Sequence, residues 1–250
     1  MLLVALAGLG LVALIAALAL VAWRAQPAGD AQQPGIGPAP QPVPPGPLPP
    51  VPAWAQTDLS LSIRAAAHAR NVAAAARDVR YDFALYGDSI TSRINESADC
   101  TSVFRRHFGQ NAVAMGVGGD KVEDLAWRLM KGGEKPRRDP RTVAVMIGVN
   151  NMNTGSDPVP RLDVVLAWMR AAMPASSFVL CAILPNKYSA ARVPASNERY
   201  RALAAKHGCA FALCGQDIAP GDRGLLVDGI HPTAAGYDRV FACLRQYVRP

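Results

Sequence analysis

Phe83-Ala84-Leu85-Tyr86-Gly87-Asp88-Ser89-Ile90 is an apolar run that halts at a glycine, an acid and a serine. Continuous apolar character, without alternation, marks a strand buried on both faces, as in parallel sheets. The pattern recurs downstream at Ala112–Met115, Thr142–Ile147, Phe178–Leu184 and Cys209–Leu213. Between these runs lie stretches that read as helices: about 60–80, near 103–108, about 121–131, 158–172, 195–207 and 233–247. Strand and helix in alternation predict an α/β fold, a three-layer doubly wound sheet of five parallel strands. Functional residues in such sheets gather beyond the carboxyl ends of the strands. Polar clusters fall at those ends: Ser89 after the first strand, Gly116-Val117-Gly118-Gly119-Asp120 after the second, Asn150 after the third, and Asp228-Gly229-Ile230-His231-Pro232 after the fifth.

These clusters hold the parts of one chemistry. A serine hydroxyl is a weak nucleophile at neutral pH and needs an imidazole to take its proton and a carboxylate to orient that imidazole. Of the four histidines, only His231 has a carboxylate three residues before it. Ser89, Asp228 and His231 are therefore the candidate catalytic residues, and His68, His107 and His207 read as structural. Charge developing on a carbonyl oxygen calls for preorganised donors. The backbone N–H groups of Ser89 and Gly119 and the side-chain amide of Asn150 are the candidates. Glycine lets backbone approach a substrate closely, and asparagine donates without adding a charge.

Outside these segments the chain is uneven. Residues 1–23 contain no ionisable side chain, and as a helix they would span roughly 34 Å. The expectation is a transmembrane anchor over 1–23, with a cleaved signal peptide as the competing reading. Residues 24–56 form a linker with eleven prolines, extended at about 3 Å per residue as a semi-rigid stalk, or else a plain disordered spacer. Residues 57–250 form the catalytic-sized domain. A stalked anchor favours an extracytoplasmic domain, whereas Arg24, the only base near the apolar run, argues for the opposite topology. Residues 1–56 carry one base and one acid, so the net charge of +7 belongs to the domain. Its arginines are not interleaved with aromatics, so nucleic acid is not an expected partner, and an anionic lipid or acidic polysaccharide is favoured. The five cysteines include no CxxC pair, which gives no zinc signature. One bridge, Cys209 to Cys214, is available in an oxidising compartment.

Taken together the four segments resemble the blocks of the SGNH, or GDSL, hydrolase superfamily over roughly residues 80–245. By position Ser89 matches its nucleophile, Gly119 and Asn150 its oxyanion residues, and Asp228 with His231 its final pair. GVGGDKVEDLAWRL followed by IGVNN is similar to the catalytic subunits of platelet-activating factor acetylhydrolase Ib and bacterial relatives. The resemblance implies a flavodoxin-like sheet, no metal or other cofactor, and hydrolysis of short acyl esters through an acyl-serine. Three positions depart from common family wording: Ser92-Arg93 where a glycine often follows, Ala114 in place of asparagine, and Asn151 in place of aspartate. Arg93, Val149 and Tyr188 are candidate substrate contacts. The substrate expectation is an acetyl or other short-acyl ester on an envelope or extracellular glycan. A lysophospholipid or acyl thioester is the alternative, and a non-catalytic tethered scaffold is the reading from another class.

Overall fold

The structure, a computed structural model, describes residues 47–248. The apolar segment 1–23 and residues 24–46 of the linker lie outside the described residues. Among those described, no helix is long and apolar enough to cross a membrane.

Helix α1 (Ser62–Ala75) precedes β1 (Phe83–Gly87). The short helix α2 (Ser89–Ser92) follows directly, then α3 (Ala98–Phe108), β2 (Ala112–Gly116) and α4 (Val122–Met130). Strand β3 (Thr142–Met146) leads through the short α5 (Val149–Asn153) into α6 (Val159–Ala172) and β4 (Ser177–Cys181). Helix α7 (Val193–Lys206), β5 (Ala210–Ala212) and α8 (Ala234–Leu244) complete the fold. The described residues form a five-stranded sheet in the order β2-β1-β3-β4-β5, and every pairing is parallel. Strand β1 pairs Phe83 with Ala112 on one side and Thr142 on the other. The chain reverses its winding at β1, so a crevice opens above β1 and β3.

The strands are as buried as their composition demands, with every residue of β1 and β3 inaccessible. Helices α3 and α8 pack together over one face. Phe83, Phe104, Phe108 and Phe241 cluster there, with Phe83 stacked on Phe108 at a centroid distance of 4.3 Å. Such pairs add about 0.5–1.5 kcal/mol beyond area burial. Helices α4, α6 and α7 pack in series over the other face.

Several boundaries differ from the sequence expectation. Helix α1 is shorter than 60–80. Helix α3 starts five residues before 103, where Ser97 accepts from the Cys100 N–H as its cap. Strand β4 ends at Cys181 rather than Leu184, although Ala182, Ile183 and Leu184 are buried. Ala182 still donates its N–H to the Ala212 carbonyl at 2.9 Å, but the Ile183 N–H turns to the Asn197 side chain, so the apolar run outlasts the ladder. The folded part also reaches back past residue 57, since Ala55 is fully buried and Trp54 packs on the core with Arg161 over its ring at 5.5 Å.

The expected Cys209–Cys214 bridge does not form; the disulfide joins Cys214 to Cys243. Cys209 and Cys214 flank β5, and five residue steps of extended chain would separate their Cα atoms by about 16 Å, far beyond disulfide reach. Cys243, in the last turn of α8, is the partner that packing brings near. Cys209 instead points its thiol at the His207 carbonyl, while Cys100 and Cys181 are buried thiols.

Candidate active site

At the end of β1 the chain turns without a loop. Asp88 is the N-cap of α2, its Oδ1 accepting from the Ile90 N–H at 2.9 Å, so Ser89 is the first helical residue. This turn lies tight against β2. A Cβ at Gly116 would stand 2.2 Å from the Ser92 nitrogen and 2.6 Å from the Asp88 carbonyl oxygen, so only glycine admits the approach. Asp88 is 1 % exposed, and burial pushes its carboxyl up to about 7 against the Ile90 hydrogen bond. An acid raised this way favours the folded state at low pH and withdraws that stabilisation as pH climbs from the unfolded value near 4 through 7. Asp88→Asn keeps the cap acceptor and removes the titration. Urea midpoints taken from pH 5 to 8 will therefore fall less steeply for the variant than for the parent. An unchanged slope would locate the titration elsewhere.

The second half of the site comes from the turn before α8. Asp228 Oδ1 accepts from the backbone N–H groups of Ile230 at 3.1 Å and His231 at 2.9 Å, fixing the turn through Gly229 at φ +82. Asp228 Oδ2 lies 2.7 Å from His231 Nδ1, and His231 Nε2 lies 2.9 Å from Ser89 Oγ. Burial acts to raise the Asp228 carboxyl, but the hydrogen bonds from the His231 backbone and ring outweigh it and hold it down at about 2. An ionised carboxylate there places the imidazole proton on Nδ1, which leaves Nε2 to accept from the Ser89 hydroxyl. The turn is secured by the Val227 N–H to the His231 carbonyl at 2.8 Å, and Thr233 caps α8 by accepting from Gly236.

The expected oxyanion residues follow β2 and β3, the two strands that flank β1. Gly119, at φ +77, lies in the turn after β2. Asn150 is in the first turn of α5, beyond β3, and one of its amide hydrogens goes to the Asp120 carbonyl at 2.9 Å. That bond ties the Asn150 loop to the Gly119–Asp120 turn and leaves the second amide hydrogen to donate. Among the described residues no hydrogen bond uses the backbone N–H of Ser89 or Gly119.

The three candidate substrate contacts fare differently. Arg93 is half-buried in the 3-10 turn that follows α2. Tyr188 is 61 % exposed, and the adjacent Lys187 N–H donates to the Gly229 carbonyl at 3.0 Å, which sets Tyr188 beside the Asp228 turn. Val149, the first residue of α5 beyond β3, is 4 % exposed and packs with the core. His68, His107 and His207 each bond a carboxylate away from Ser89: Glu134, Asp238 and Asp163 respectively.

Sequence reasoning missed a buried polar cluster beneath the crevice. Arg128 is wholly inaccessible, and its guanidinium donates to Asp120 Oδ2 at 2.6 Å, to Glu134 Oε2, to the Met115 carbonyl at 3.2 Å and to the Gly87 carbonyl at 2.9 Å. One side chain thereby links the ends of β1 and β2 to the turn carrying Gly119. Glu134 also receives Asn71 and His68, while Arg64 reaches Asp120 at 3.1 Å and the Gly118 carbonyl at 2.7 Å. Burial pushes Asp120 up to about 7 against the pull of Arg128 and Arg64. The available signal was an arginine three residues after Leu125, on the buried face of an otherwise amphipathic helix. Two of the family departures have local reasons. Asn151 uses both amide ends, accepting from the Val122 N–H and donating to Glu123, and Asn95 supports the Ala114 carbonyl from outside β2.

Residues 85–239 match the model of the GDSL-like lipase/acylhydrolase family. The chain belongs to that family. Among curated proteins it is 25 % identical over 112 residues to platelet-activating factor acetylhydrolase IB subunit alpha2 of Homo sapiens and of Rattus norvegicus, covering 44 % of this chain and 47 % of theirs. The chain thus aligns with about half the length of these relatives. Solved structures share the fold of this GDSL-like chain. A provisionally assigned platelet activating factor from Streptococcus pneumonia has a TM-score of 0.64 at 16 % identity, covering 75 % of this chain and 94 % of that one. The lipase/acylhydrolase of Enterococcus faecalis has 0.53 at 18 %, covering 67 % and 94 %. A lipolytic G-D-S-L protein of Veillonella parvula has 0.55 at 17 %, covering 66 % and 96 %.

Proposed function

We propose that Ser89, His231 and Asp228 are the catalytic triad of a serine esterase that removes acetyl or another short acyl group, through an acyl-serine intermediate. The unbroken line of contacts from Asp228 Oδ2 through the imidazole to Ser89 Oγ carries this reading. Ser89 Oγ bonds to the ester carbonyl carbon while its proton passes to His231 Nε2. The resulting oxyanion takes hydrogen bonds from the N–H groups of Ser89 and Gly119 and the amide of Asn150. Collapse breaks the bond to the alcohol oxygen, which leaves with the proton from His231. Water then gives a proton to His231, attacks the acyl carbon, and releases the acid as Ser89 recovers its proton.

One observation supports a short acyl group. The curated relatives carry the name acetylhydrolase. A domain outside the cytoplasm, where a glycan acceptor would be met, is supported by the apolar composition of residues 1–23 and by the Cys214–Cys243 disulfide, a bond that persists in oxidising compartments. With nitrophenyl esters from acetate to laurate, the full-length protein will show its highest kcat/KM at acetate, falling roughly tenfold or more by octanoate. Intact expressing cells will hydrolyse a membrane-impermeant acetyl ester as well. A maximum at long chains would favour the lysophospholipase or thioesterase reading, activity only after lysis would place the domain inside, and no hydrolysis of any ester would favour a scaffold.

A further inference from the structure

A cavity of about 170 Å³ lies against the outer side of the Asp228 turn, walled by Lys187, Pro220, Gly221, Arg223, Asp228 and Gly229. Two of its six walls are cations, and neither is spent on a carboxylate among the described residues. Lys187 Nζ sits 4.9 Å over the Tyr188 ring, and Arg223 donates to the Val227 carbonyl at 3.1 Å. The one acid, Asp228, has Oδ1 occupied by two backbone N–H groups and Oδ2 by the imidazole. The walls therefore present free positive donors and a carboxylate already engaged. Glycine at 229 holds the parts close, since a Cβ there would come within 3.0 Å of Lys187 Cδ and 3.1 Å of the Pro220 carbonyl oxygen.

The position of the cavity follows from the direction of catalysis. His231 Nε2 must hand a proton to the departing alcohol oxygen, so the alcohol half of the ester lies on the imidazole side of Ser89, while the carbonyl oxygen turns toward Gly119 and Asn150. One imidazole further along is Asp228, whose outer face lines the cavity, with exposed Tyr188 at the rim. We propose that this cavity binds an anionic oxygen group, carboxylate or phosphate, on the alcohol half of the substrate, so that the enzyme deacylates acidic alcohols such as an acylated uronic sugar. The proposal rests on the serine-esterase reading above. The Arg223 fork suits two oxygens of one anion, the Lys187 ammonium adds a point charge, and the Tyr188 face offers a sugar ring a stacking surface. A cationic ligand would meet two like charges there.

The test uses the full-length protein at low salt, where charge is least screened. Calorimetry on a Ser89→Ala background compares glucuronate, its uncharged methyl ester and glycerol phosphate. Kinetics on the parent compare an acetylated glucuronide with its methyl ester. At least one anion will bind roughly tenfold or more tighter than the uncharged ester, and the charged acetyl ester will be preferred by a similar factor. In K187M/R223Q both preferences will fall toward unity, and R223K will retain part of them. Methionine keeps the stem packed on Gly229, and glutamine can still donate to the Val227 carbonyl. Tight glycerol phosphate with weak glucuronate would assign the site to a phosphate-bearing alcohol; the reverse would assign it to an acidic sugar. Equal binding of charged and uncharged ligands, or preference unmoved in K187M/R223Q, overturns the site and leaves the esterase standing. Charge-selective binding without hydrolysis of any ester upholds the site and overturns the esterase.

Discussion

Ser89→Ala will lower kcat/KM on a nitrophenyl ester by about 10⁴-fold or more while leaving the unfolding midpoint nearly unchanged. The size of the loss follows from the arrangement. The hydroxyl is the atom placed to form the covalent intermediate, and among the described residues its hydrogen-bond partner is His231 Nε2. Removing it stops acyl transfer and leaves only the rate supplied by the amide donors and by binding. Stability is spared because Ser89 is half-buried and contributes no core contact, and the freed imidazole nitrogen is open to water. Asp228→Asn serves as the companion, since it keeps the turn's acceptor but no longer stabilises the imidazolium formed during attack. In a shared pathway the double variant loses little more than Ser89→Ala alone. Full activity in Ser89→Ala, or a label from an organophosphate on another serine, would refute the assignment.

Arg128→Met will be costly for the opposite reason: it touches no reacting atom and unmakes the support beneath several that do. Four partners each lose a donor at once, two of them carboxylates with no exposure that keep only Arg64 on Asp120 and Asn71 with His68 on Glu134. Stranding one partner of a buried ion pair costs about 3–5 kcal/mol, a large share of the 5–15 kcal/mol that holds a typical domain folded. For a domain of this size that is a fall in midpoint of roughly 10 °C. The charge of the residues left behind causes the damage. Adding Asp120→Asn and Glu134→Gln to Arg128→Met should recover part of the loss, and the single variant should regain stability as pH falls and Asp120, already raised by burial, takes a proton. Equilibrium urea unfolding measures both. A loss below about 1 kcal/mol, or one indifferent to the companion changes, would mean that the guanidinium is a passenger in its pocket.

The contrast between these two residues shows what was readable beforehand. The strands announced themselves because a sheet covered on both faces demands unbroken apolar runs, and few other environments in a folded chain accept such runs at that length. Ser89 and His231 were readable as candidates because a proposed nucleophile and base each carry a local signature, a glycine-acid-serine turn and a carboxylate three residues ahead. Arg128 has no such signature. Its partners sit on a carbonyl of β1, a carbonyl of β2, a turn and a loop, a combination that exists only after folding. The expected disulfide failed for a related reason. Cys209 and Cys214 are near in number but lie at opposite ends of an extended strand, and the true partner, 29 residues on, is brought in by the packing of α8.

The bond between Cys214 and Cys243 encloses residues 215–242, and the Asp228–His231 turn lies inside that ring. Ser89, Gly119 and Asn150 lie outside it, carried by the sheet. The Asp228–His231 turn is thus held by a covalent ring as well as by packing, whereas the other three residues are carried at the ends of paired parallel strands.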